Sequence, residues 1–306
     1  MRLFTLTLLA MIAFASNSLL CRAALKQTAV DAATFTFIRI FSGAAALWLI
    51  MQIPRGMPVP SLQSSSKARG DSFSLREVGM SDAGNWISAL ALFIYAAAFS
   101  FAYVDLSAGT GALLLFGAVQ ATMIFWGLHK GEELDVIQIV GFVGAVAGLV
   151  VLLFPGLSAP PLIGSILMLG AGVAWGIYSL RGQGEKNPAS ATTGNFSRAV
   201  PFAAAVSIIF ISRLHLNVAG VSYAIISGAI TSGLGYVIWY SALPDLKAAS
   251  AATVQLSVPV LAATGGILFL GEPVTLRYVV ASIAVLGGIA LVVVTPYFKE
   301  QMLKDS

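Results

Sequence analysis

The clearest indication of the fold comes from two similar stretches, residues 139–153, IVGFVGAVAGLVVLL, and residues 279–293, VVASIAVLGGIALVV. Neither stretch carries a charge, and both consist largely of glycine, alanine and branched apolar residues. Each follows the same Gly-Glu dipeptide, at residues 131–132 in one case and 271–272 in the other. With its flanking residues, each stretch reaches the roughly 20 apolar residues that an α-helix needs to cross a bilayer. The chain is therefore predicted to be a membrane protein that contains the same helix twice.

The overall composition supports a lipid environment. Of the 306 residues, 58% are hydrophobic and only 10% are charged, whereas soluble domains carry about 25% charged residues. A soluble fold of this length could not bury so much apolar surface, so the chain is expected to lie in a lipid bilayer. The net charge of +4 comes from 17 basic and 13 acidic residues that are spread along the chain. This distribution argues against a nucleic-acid partner and suits loops that face anionic lipids.

Ten segments are long and apolar enough to be transmembrane helices. The predicted fold class is therefore an all-α integral membrane protein with ten transmembrane helices. Most connections are short, but residues 54–83 contain prolines, serines and scattered charges that predict a polar loop. The predicted spans are 3–24, 33–53, 84–104, 107–128, 136–154, 162–181, 192–212, 221–243, 248–270 and 275–295.

Motifs that recur at two fixed spacings predict an internal duplication. Two dipeptides recur 140 residues later, and two arginines and a phenylalanine recur 159 residues later. The two spacings differ because the loop 54–83 has no equally long counterpart in the second half. Residues 1–158 are thus predicted to form one five-helix repeat, and residues 159–306 a second repeat with a short tail. Since five is odd, the second repeat is inverted in the membrane, as in many transporters. The matches are Asp105-Leu106 with Asp245-Leu246, Gly131-Glu132 with Gly271-Glu272, Arg22 with Arg181, Phe37 with Phe196, and Arg39 with Arg198.

The distribution of Lys and Arg predicts the orientation, because cytoplasmic loops carry an excess of both. If the N-terminus is placed in the cytoplasm, twelve of the 17 basic residues lie on the cytoplasmic side. Both termini and the loop 54–83 are therefore predicted to be cytoplasmic. The five basic residues on the outer side lie close to helix ends, where long side chains reach the lipid headgroups. They are Arg22, Lys26, Arg39, Arg213 and Arg277.

Several short motifs, taken in their order and spacing, resemble the drug/metabolite transporter superfamily of the EamA type. These motifs are the two Gly-Glu dipeptides, Phe37-Ile38-Arg39 on the second helix and Ala174-Trp175-Gly176 on the sixth. The resemblance covers nearly the whole chain. It implies export or exchange of amino acids, drugs or other metabolites across the inner membrane of a bacterial cell. It also implies a central cavity lined mainly by helices one, three and four and their repeat partners.

One position departs from the internal symmetry. Pro259 is expected to break the ninth helix, where members of the resembled family commonly have a proline. The matching residue of the fourth helix is Val119, so the two helices are expected to bend differently.

Neutral polar and aromatic residues at mid-depth are the candidate substrate-binding residues, since polar groups are costly in the bilayer. Tyr236 and Tyr240 share one face of the eighth helix, and Tyr95, Phe99 and Tyr103 form a similar stripe on the third. Such a lining suits small amphipathic or aromatic solutes. Packing and interfacial anchoring are the alternative roles for these aromatic residues. The candidates are Asn17, Tyr95, Gln120, Trp175, Tyr178, Tyr236, Tyr240 and Gln255.

Two arginines lie about 10 Å inside their helices, judged from a rise of 1.5 Å per residue. One alternative is that both side chains simply extend to the headgroups. The other is a pair of gates related by the repeat. In that hypothesis Arg39 pairs with Asp105 or Glu272 at the outer face, and Arg198 pairs with Glu132 or Asp245 at the inner face.

The sequence gives little support for a catalytic function. The chain has no Walker A or HExxH motif, and every Asp, Glu and His lies in a loop or at a helix end. We therefore expect no catalytic residue, no metal and no cofactor, and we expect transport down the solute's own gradient or by exchange. A channel or lipid-handling protein is the alternative, and an intramembrane enzyme is a weaker one. The partners are expected to be a small solute and the lipid bilayer.

The fifth and tenth helices are predicted to be scaffold helices, because they lack polar side chains over most of their length. Their glycines allow a close approach of neighbouring helices. A homodimer formed through the same glycines is the functional alternative. The glycines are Gly141, Gly144, Gly148, Gly287 and Gly288.

Overall fold

A computed structural model of the chain describes residues 2–52, 84–131, 133–156, 159–182, 185, 187–242 and 254–305. Within these residues the chain forms ten helices and no β-strand. A 3₁₀ turn, Ile211–Arg213, follows the seventh helix. The helices are α1 Arg2–Gln27, α2 Ala32–Gln52, α3 Trp86–Ala102, α4 Ala108–His129, α5 Val136–Leu153, α6 Leu162–Gly182, α7 Pro188–Ile209, α8 Val218–Ala242, α9 Ser257–Leu270 and α10 Leu276–Asp305.

The length and apolarity of these helices make the chain a multi-pass membrane protein. Seven of the helices in the described residues are long and apolar enough to cross a membrane, namely α1, α2, α4, α5, α6, α8 and the first part of α10. The helices α3 and α9 are apolar but shorter. Large apolar side chains also cover the outer surface, with Val140 60% exposed and Ile163 74% exposed. Such a surface is stable only against lipid or another apolar partner.

The observed helix ends agree with the predicted spans to within a few residues, except in α7, α9 and α10. The tenth helix continues to Asp305, beyond the predicted end at residue 295, so it includes the predicted polar tail. The seventh helix starts earlier than predicted, at Pro188, just after Asn187, whose side-chain oxygen accepts a hydrogen bond from the Ser190 amide. The predicted loop 54–83 lies outside the described residues.

The ninth helix is interrupted close to its proline. Residues 254–255 are helical, the chain turns at Leu256, and α9 begins at Ser257. Pro259 lies in the first turn of α9 and lacks the N–H group that would bond back to Gln255. The break predicted from Pro259 is therefore present, a few residues ahead of the proline itself.

The repeated Gly-Glu dipeptides have a backbone explanation. Gly271 ends α9 with φ +62° and ψ +32°, and Gly131 follows α4 with φ +91°. Both values lie in the left-handed region, which glycine adopts without the steric cost of a Cβ atom. The glycine of each motif therefore serves to stop a helix.

The core of the bundle lies between helices from both halves of the chain. The helix α1 packs on α8 and α9, α3 packs on α6 and α7, and α2 packs on α7 and α8. At the edge, α5 packs along α10. A Cβ atom at Gly141 would lie only 2.6 Å from the carbonyl oxygen of Gly288, so the backbones of these two helices touch. Gly148 also packs against α10, whereas nothing lies within 4 Å of the Cβ positions of Gly144 and Gly287.

Candidate functional site

A small closed cavity lies at mid-depth between α1, α3, α4, α6 and α8. Its volume of about 20 Å³ is enough for one water molecule and too small for a metabolite. Tyr95 lies seven residues from the end of α3, and Trp175 lies seven residues from the end of α6, so the cavity is roughly 10 Å from either end of the bundle. The structure is thus closed around a central site. The lining residues are Phe14, Asn17, Ser18, Tyr95, Phe99, Leu115, Phe116, Trp175, Thr231 and Tyr236.

Asn17 connects the two halves of the chain at this depth. Its Nδ2 atom donates to Oη of Tyr95 at 3.4 Å, and its Oδ1 atom accepts from Oγ of Ser227 at 2.6 Å and from Oγ1 of Thr231 at 3.3 Å. Asn17 is only 5% exposed, so these hydrogen bonds satisfy an amide that would otherwise be costly to bury.

Arg39 lies next to this network and is 2% exposed. Its Nε atom donates to Oγ of Ser232 at 3.2 Å, and its Nη2 atom donates to Oη of Tyr95 at 3.1 Å. The guanidinium carbon lies 4.9 Å from the ring centre of Phe99 and 5.3 Å from that of Tyr95, within the range of cation–π attraction. Its Nη1 atom is buried and makes no hydrogen bond within the described part of the chain.

A charge at this depth is expensive. Insertion scales put the cost of a central arginine at about 2.5–3.5 kcal/mol. The helices α1–α9 contain no Asp or Glu, so neutral hydroxyl groups and aromatic faces surround the positive charge of Arg39. No carboxylate of these helices neutralises Arg39, so the site carries a net positive charge and an unused hydrogen-bond donor.

The hydroxyl groups come from a π-helical segment of α8, Ile226–Leu234. Bonding from residue i to i+5 widens the helix, and single π turns often occur at functional sites. The wider turn allows Ser227 and Thr231 to contact Asn17 while Ser232 contacts Arg39. Gly228 makes the approach possible, because a Cβ atom there would collide with the carbonyl oxygen of Arg39 and with Oγ of Ser42.

Aromatic rings form the other wall of the cavity. The ring of Trp175 lies 4.8 Å from that of Tyr95, 5.0 Å from that of Tyr236 and 5.5 Å from that of Tyr178, measured between centroids. Phe14 lies edge-on to Tyr236 at 5.9 Å. The Oη atom of Tyr236 is buried and makes no hydrogen bond to the described residues.

The structure brings four of the eight candidate substrate-binding residues to this cavity, namely Asn17, Tyr95, Trp175 and Tyr236. The candidates Tyr178 and Tyr240 line a second small cavity, near Arg181. The two glutamines are placed elsewhere. Gln120 is buried in α4, Gln255 is partly exposed ahead of α9, and neither lines these cavities.

One end of the bundle is held together by Glu272. Its Oε1 atom pairs with Nε of Arg22 at 3.1 Å, and its Oε2 atom accepts from the backbone amide of Ala108 at 2.8 Å. Arg22 also donates from Nη1 to the carbonyl oxygens of Tyr103 and Val104, at 3.0 and 2.7 Å. The side chains of Arg22 and Glu272 are 12% and 6% exposed. This contact, which we call the Arg22 end, joins α1, the end of α3, the start of α4 and the end of α9.

The partners of Arg39 differ from the predicted ones. Arg39 does not reach Glu272 or Asp105, because Arg22 already occupies Glu272 and Asp105 lies exposed in the turn after α3. Arg39 instead points into the core at mid-depth, toward Tyr95 and Ser232. Arg198 is partly exposed on α7, and its predicted partners, Glu132 and Asp245, lie outside the described residues.

The opposite end of the bundle is held by Arg181, which matches Arg22 in the predicted duplication. Its Nε atom donates to Oγ of Ser88 at 3.0 Å, and its Nη2 atom donates to Oδ1 of Asn85 at 3.1 Å. The backbone amide of Asn85 in turn donates to Oδ1 of Asn195 on α7. We call this contact, which joins α3, α6 and α7, the Arg181 end.

Two parts of this arrangement were not predicted from the sequence: the ion pair at the Arg22 end and the hydroxyl groups of α8. The Arg22–Glu272 pair could have been suspected, since Arg22 and Arg181 recur at the same spacing as Arg39 and Arg198. The hydroxyl groups of Ser227, Thr231 and Ser232 gave a weaker signal. Their common orientation depends on the π-helical turn, which a pattern based on 3.6 residues per turn does not reveal.

Comparison with known proteins identifies a family that this chain resembles. The model of the EamA-like transporter family matches residues 162–294. An uncharacterised protein of Pseudomonas aeruginosa is 53% identical over 95% of this chain and 94% of its own length. The threonine/homoserine exporter RhtA of Escherichia coli K12 is 35% identical over 45% of this chain, and that of Salmonella typhimurium LT2 is 32% identical over 47%. These matches span about half the length of the exporters, 48% and 50%.

A solved crystal structure shares the fold. It aligns with a TM-score of 0.59 at 16% sequence identity and covers 94% of this chain and 96% of the other.

Proposed function

This chain belongs to the EamA-like family of transporters, and we propose that it is a secondary transporter that exports small organic metabolites by alternating access. One observation carries the proposal. A polar site lies closed at mid-depth, between residues from both halves of the chain: Asn17 and Tyr95 from the first half, and Trp175, Thr231 and Tyr236 from the second. Substrate sites at the interface of two repeats are typical of secondary transporters.

We further propose that all ten helices cross the membrane as two inverted five-helix repeats, residues 1–158 and 159–306. The helix contacts support this arrangement, because several of the most extensive ones recur when each helix is exchanged for the one five positions away. The pair α3–α6 corresponds to α8–α1, and the pair α4–α6 corresponds to α9–α1. The left-handed glycines Gly131 and Gly271, one in each half, are a second support.

Alternating access requires that the two ends open in turn. The Arg22 end and the Arg181 end are both closed by hydrogen bonds, and only the Arg22 end contains an ion pair among the described residues. We propose that these two contacts are the gates, in place of the predicted pairs of Arg39 with Asp105 or Glu272 and of Arg198 with Glu132 or Asp245. The pair Arg22–Glu272 would break when that end opens.

The first solutes to test are threonine and homoserine, because relatives of this chain export them. The protein is purified, reconstituted into liposomes loaded with each unlabelled amino acid in turn, and supplied with a trace of the labelled one outside. A transporter accumulates label by counterflow, whereas a channel does not. Protein-free liposomes are the control. Failure to exchange any of the common amino acids would remove the support for an amino-acid exporter.

A further inference from the structure

We propose that the central site recognises its solutes through a carboxylate group, and that Arg39 is the residue that binds it. This inference rests on the proposed function, since it names the class of solute that the central site accepts. It narrows the candidates from small metabolites in general to those that carry a carboxylate.

The unused donor of Arg39 carries the proposal. A guanidinium group has five N–H donors in a planar fork, and only those of Nε and Nη2 are used here. Nη1 is buried without a hydrogen-bond partner among the described residues, in a side chain that is 2% exposed. Buried donors of native proteins nearly always find a partner in the protein, in ordered water or in a ligand, so Nη1 is available to a group that enters the site.

Arg39 lies directly behind the wall of the cavity. Its guanidinium group contacts Tyr95 and Phe99, both of which line the cavity wall. Tyr236 also lines the cavity, and its Oη atom is buried without a hydrogen bond to the described residues. Arg39 and Tyr236 therefore provide two unused donors near the cavity.

The existing network cannot supply the missing acceptor. The Oη atom of Tyr95 already accepts from Arg39 and from Asn17, and Oδ1 of Asn17 already accepts from Ser227 and Thr231. The described helices around the site contain no Asp or Glu, and Arg39 is the charged side chain that contacts the residues of the cavity wall. A carboxylate provides both the negative charge and the two oxygen atoms that match a guanidinium fork.

The closed cavity sets a condition on binding. With room for about one water molecule, the site accepts a solute only after the surrounding helices move apart. The aromatic wall formed by Trp175, Tyr95 and Tyr236 would then contact the remainder of the solute.

Matched pairs of solutes test the inference. The full-length protein in lipid nanodiscs is titrated with amino acids and with the corresponding amino alcohols, in which a hydroxymethyl group replaces the carboxylate. Binding is followed by the shift in melting temperature. The pairs are threonine and threoninol, methionine and methioninol, and phenylalanine and phenylalaninol. We expect at least one acid to bind, and its alcohol to bind roughly 10- to 100-fold more weakly, as for the loss of a charge-assisted hydrogen bond.

Two variants assign the effect to Arg39. Arg39→Lys keeps the charge and loses the fork, so it should weaken binding of the acid and leave binding of the alcohol unchanged. Arg39→Gln should abolish the preference for the acid, provided that the variant elutes as a single species. The matched control is Arg213→Gln, in the exposed turn after α7, which should retain the preference of the parent.

The outcomes separate this inference from the proposed function. If acid and alcohol bind equally well, or if Arg39→Lys weakens both to the same extent, Arg39 does not bind a carboxylate, and the chain remains a transporter of other solutes. If no acid binds and none exchanges across liposomes, both the carboxylate site and the amino-acid exporter are refuted.

Discussion

Glu272 joins more parts of the bundle than any other acidic residue that the structure describes. One carboxylate oxygen pairs with Arg22 on α1, and the other accepts the first amide of α4, where the helix dipole favours a negative charge. Because Glu272 follows the left-handed Gly271, the end of α9 holds the carboxylate in place. A single side chain thus connects helices from both halves of the chain.

Removal of Arg22 should open this end. Arg22→Gln leaves the largely buried Glu272 without its cation, and loss of one partner of a buried pair typically costs about 3–5 kcal/mol. We expect the variant to spend more time open at the Arg22 end. The readout is the neighbouring Cys21, the only cysteine of the chain, which is 0% exposed in the structure. A water-soluble maleimide should label Cys21 faster in Arg22→Gln than in the parent.

Arg277→Gln is the matched control, because Arg277 lies at the same end of the bundle and bonds to the carbonyl oxygen of Phe154 instead of Glu272. It should leave the labelling rate of Cys21 unchanged. Equal labelling of the Arg22 variant and the parent would mean that the ion pair does not hold the end closed.

Tyr95 is the residue on which the central hydrogen bonds converge. Tyr95→Phe removes the oxygen that accepts from Arg39 and Asn17, and it leaves two buried donors without that partner. Each such loss costs about 1–3 kcal/mol, so we expect a clear decrease in melting temperature in nanodiscs. Tyr223→Phe, at a partly buried tyrosine of α8 outside the cavity, should change it little. Equal melting temperatures for both variants would contradict the network.

Among the helices, α8 departs most from regular geometry. Its π-helical segment, Ile226–Leu234, places hydroxyl groups beside both Asn17 and Arg39, and Gly228 brings it against the backbone of α2. Its counterpart in the proposed first repeat, α3, is an α-helix throughout. The two helices therefore contribute different local geometries to the same site, with aromatic rings from α3 and hydroxyl groups from α8.

Gly228→Ala tests the contact between α8 and α2. The new Cβ atom would overlap the carbonyl oxygen of Arg39, which belongs to the backbone and cannot move aside, so the helices must separate. Overpacking of this kind typically costs about 1–3 kcal/mol and should lower the melting temperature. Gly170→Ala in α6, with nothing within 4 Å of its Cβ position, should leave it unchanged or raise it slightly. A melting temperature of Gly228→Ala equal to that of the parent would contradict the close contact.

These features show how far the sequence predicts this fold and site. Apolar runs predict the helices well, because the thickness of the bilayer fixes their length. Asn17 and Trp175 were found because a polar or amphipathic residue at mid-depth is costly without a role. The partners of Arg39 could not be predicted, because they depend on which helices touch and on the widened turn of α8. The partner of Glu272 depends on a contact between residues 250 positions apart.

The proposed inverted repeat and the distribution of basic residues together predict one orientation of the chain in the membrane. Reporter fusions at Ser66 and at Ser306 should both show a cytoplasmic location, because twelve of the 17 Lys and Arg residues then lie on that side. A fusion after Leu216, between α7 and α8, should show the opposite location and is the internal control. A periplasmic signal from either of the first two fusions would reverse the predicted topology or the number of spans.

The small central cavity and the buried Arg39 lead us to expect that the protein does not conduct ions. A path with room for one water molecule at its centre interrupts any continuous chain of water, and a fixed positive charge beside it repels protons and metal cations. A cell could therefore hold many copies of the protein in its membrane without dissipating the membrane potential. Liposomes that contain the protein should keep a potassium diffusion potential for as long as empty ones, as measured with a voltage-sensitive dye. Rapid decay of the potential would reveal an ion-conducting pore.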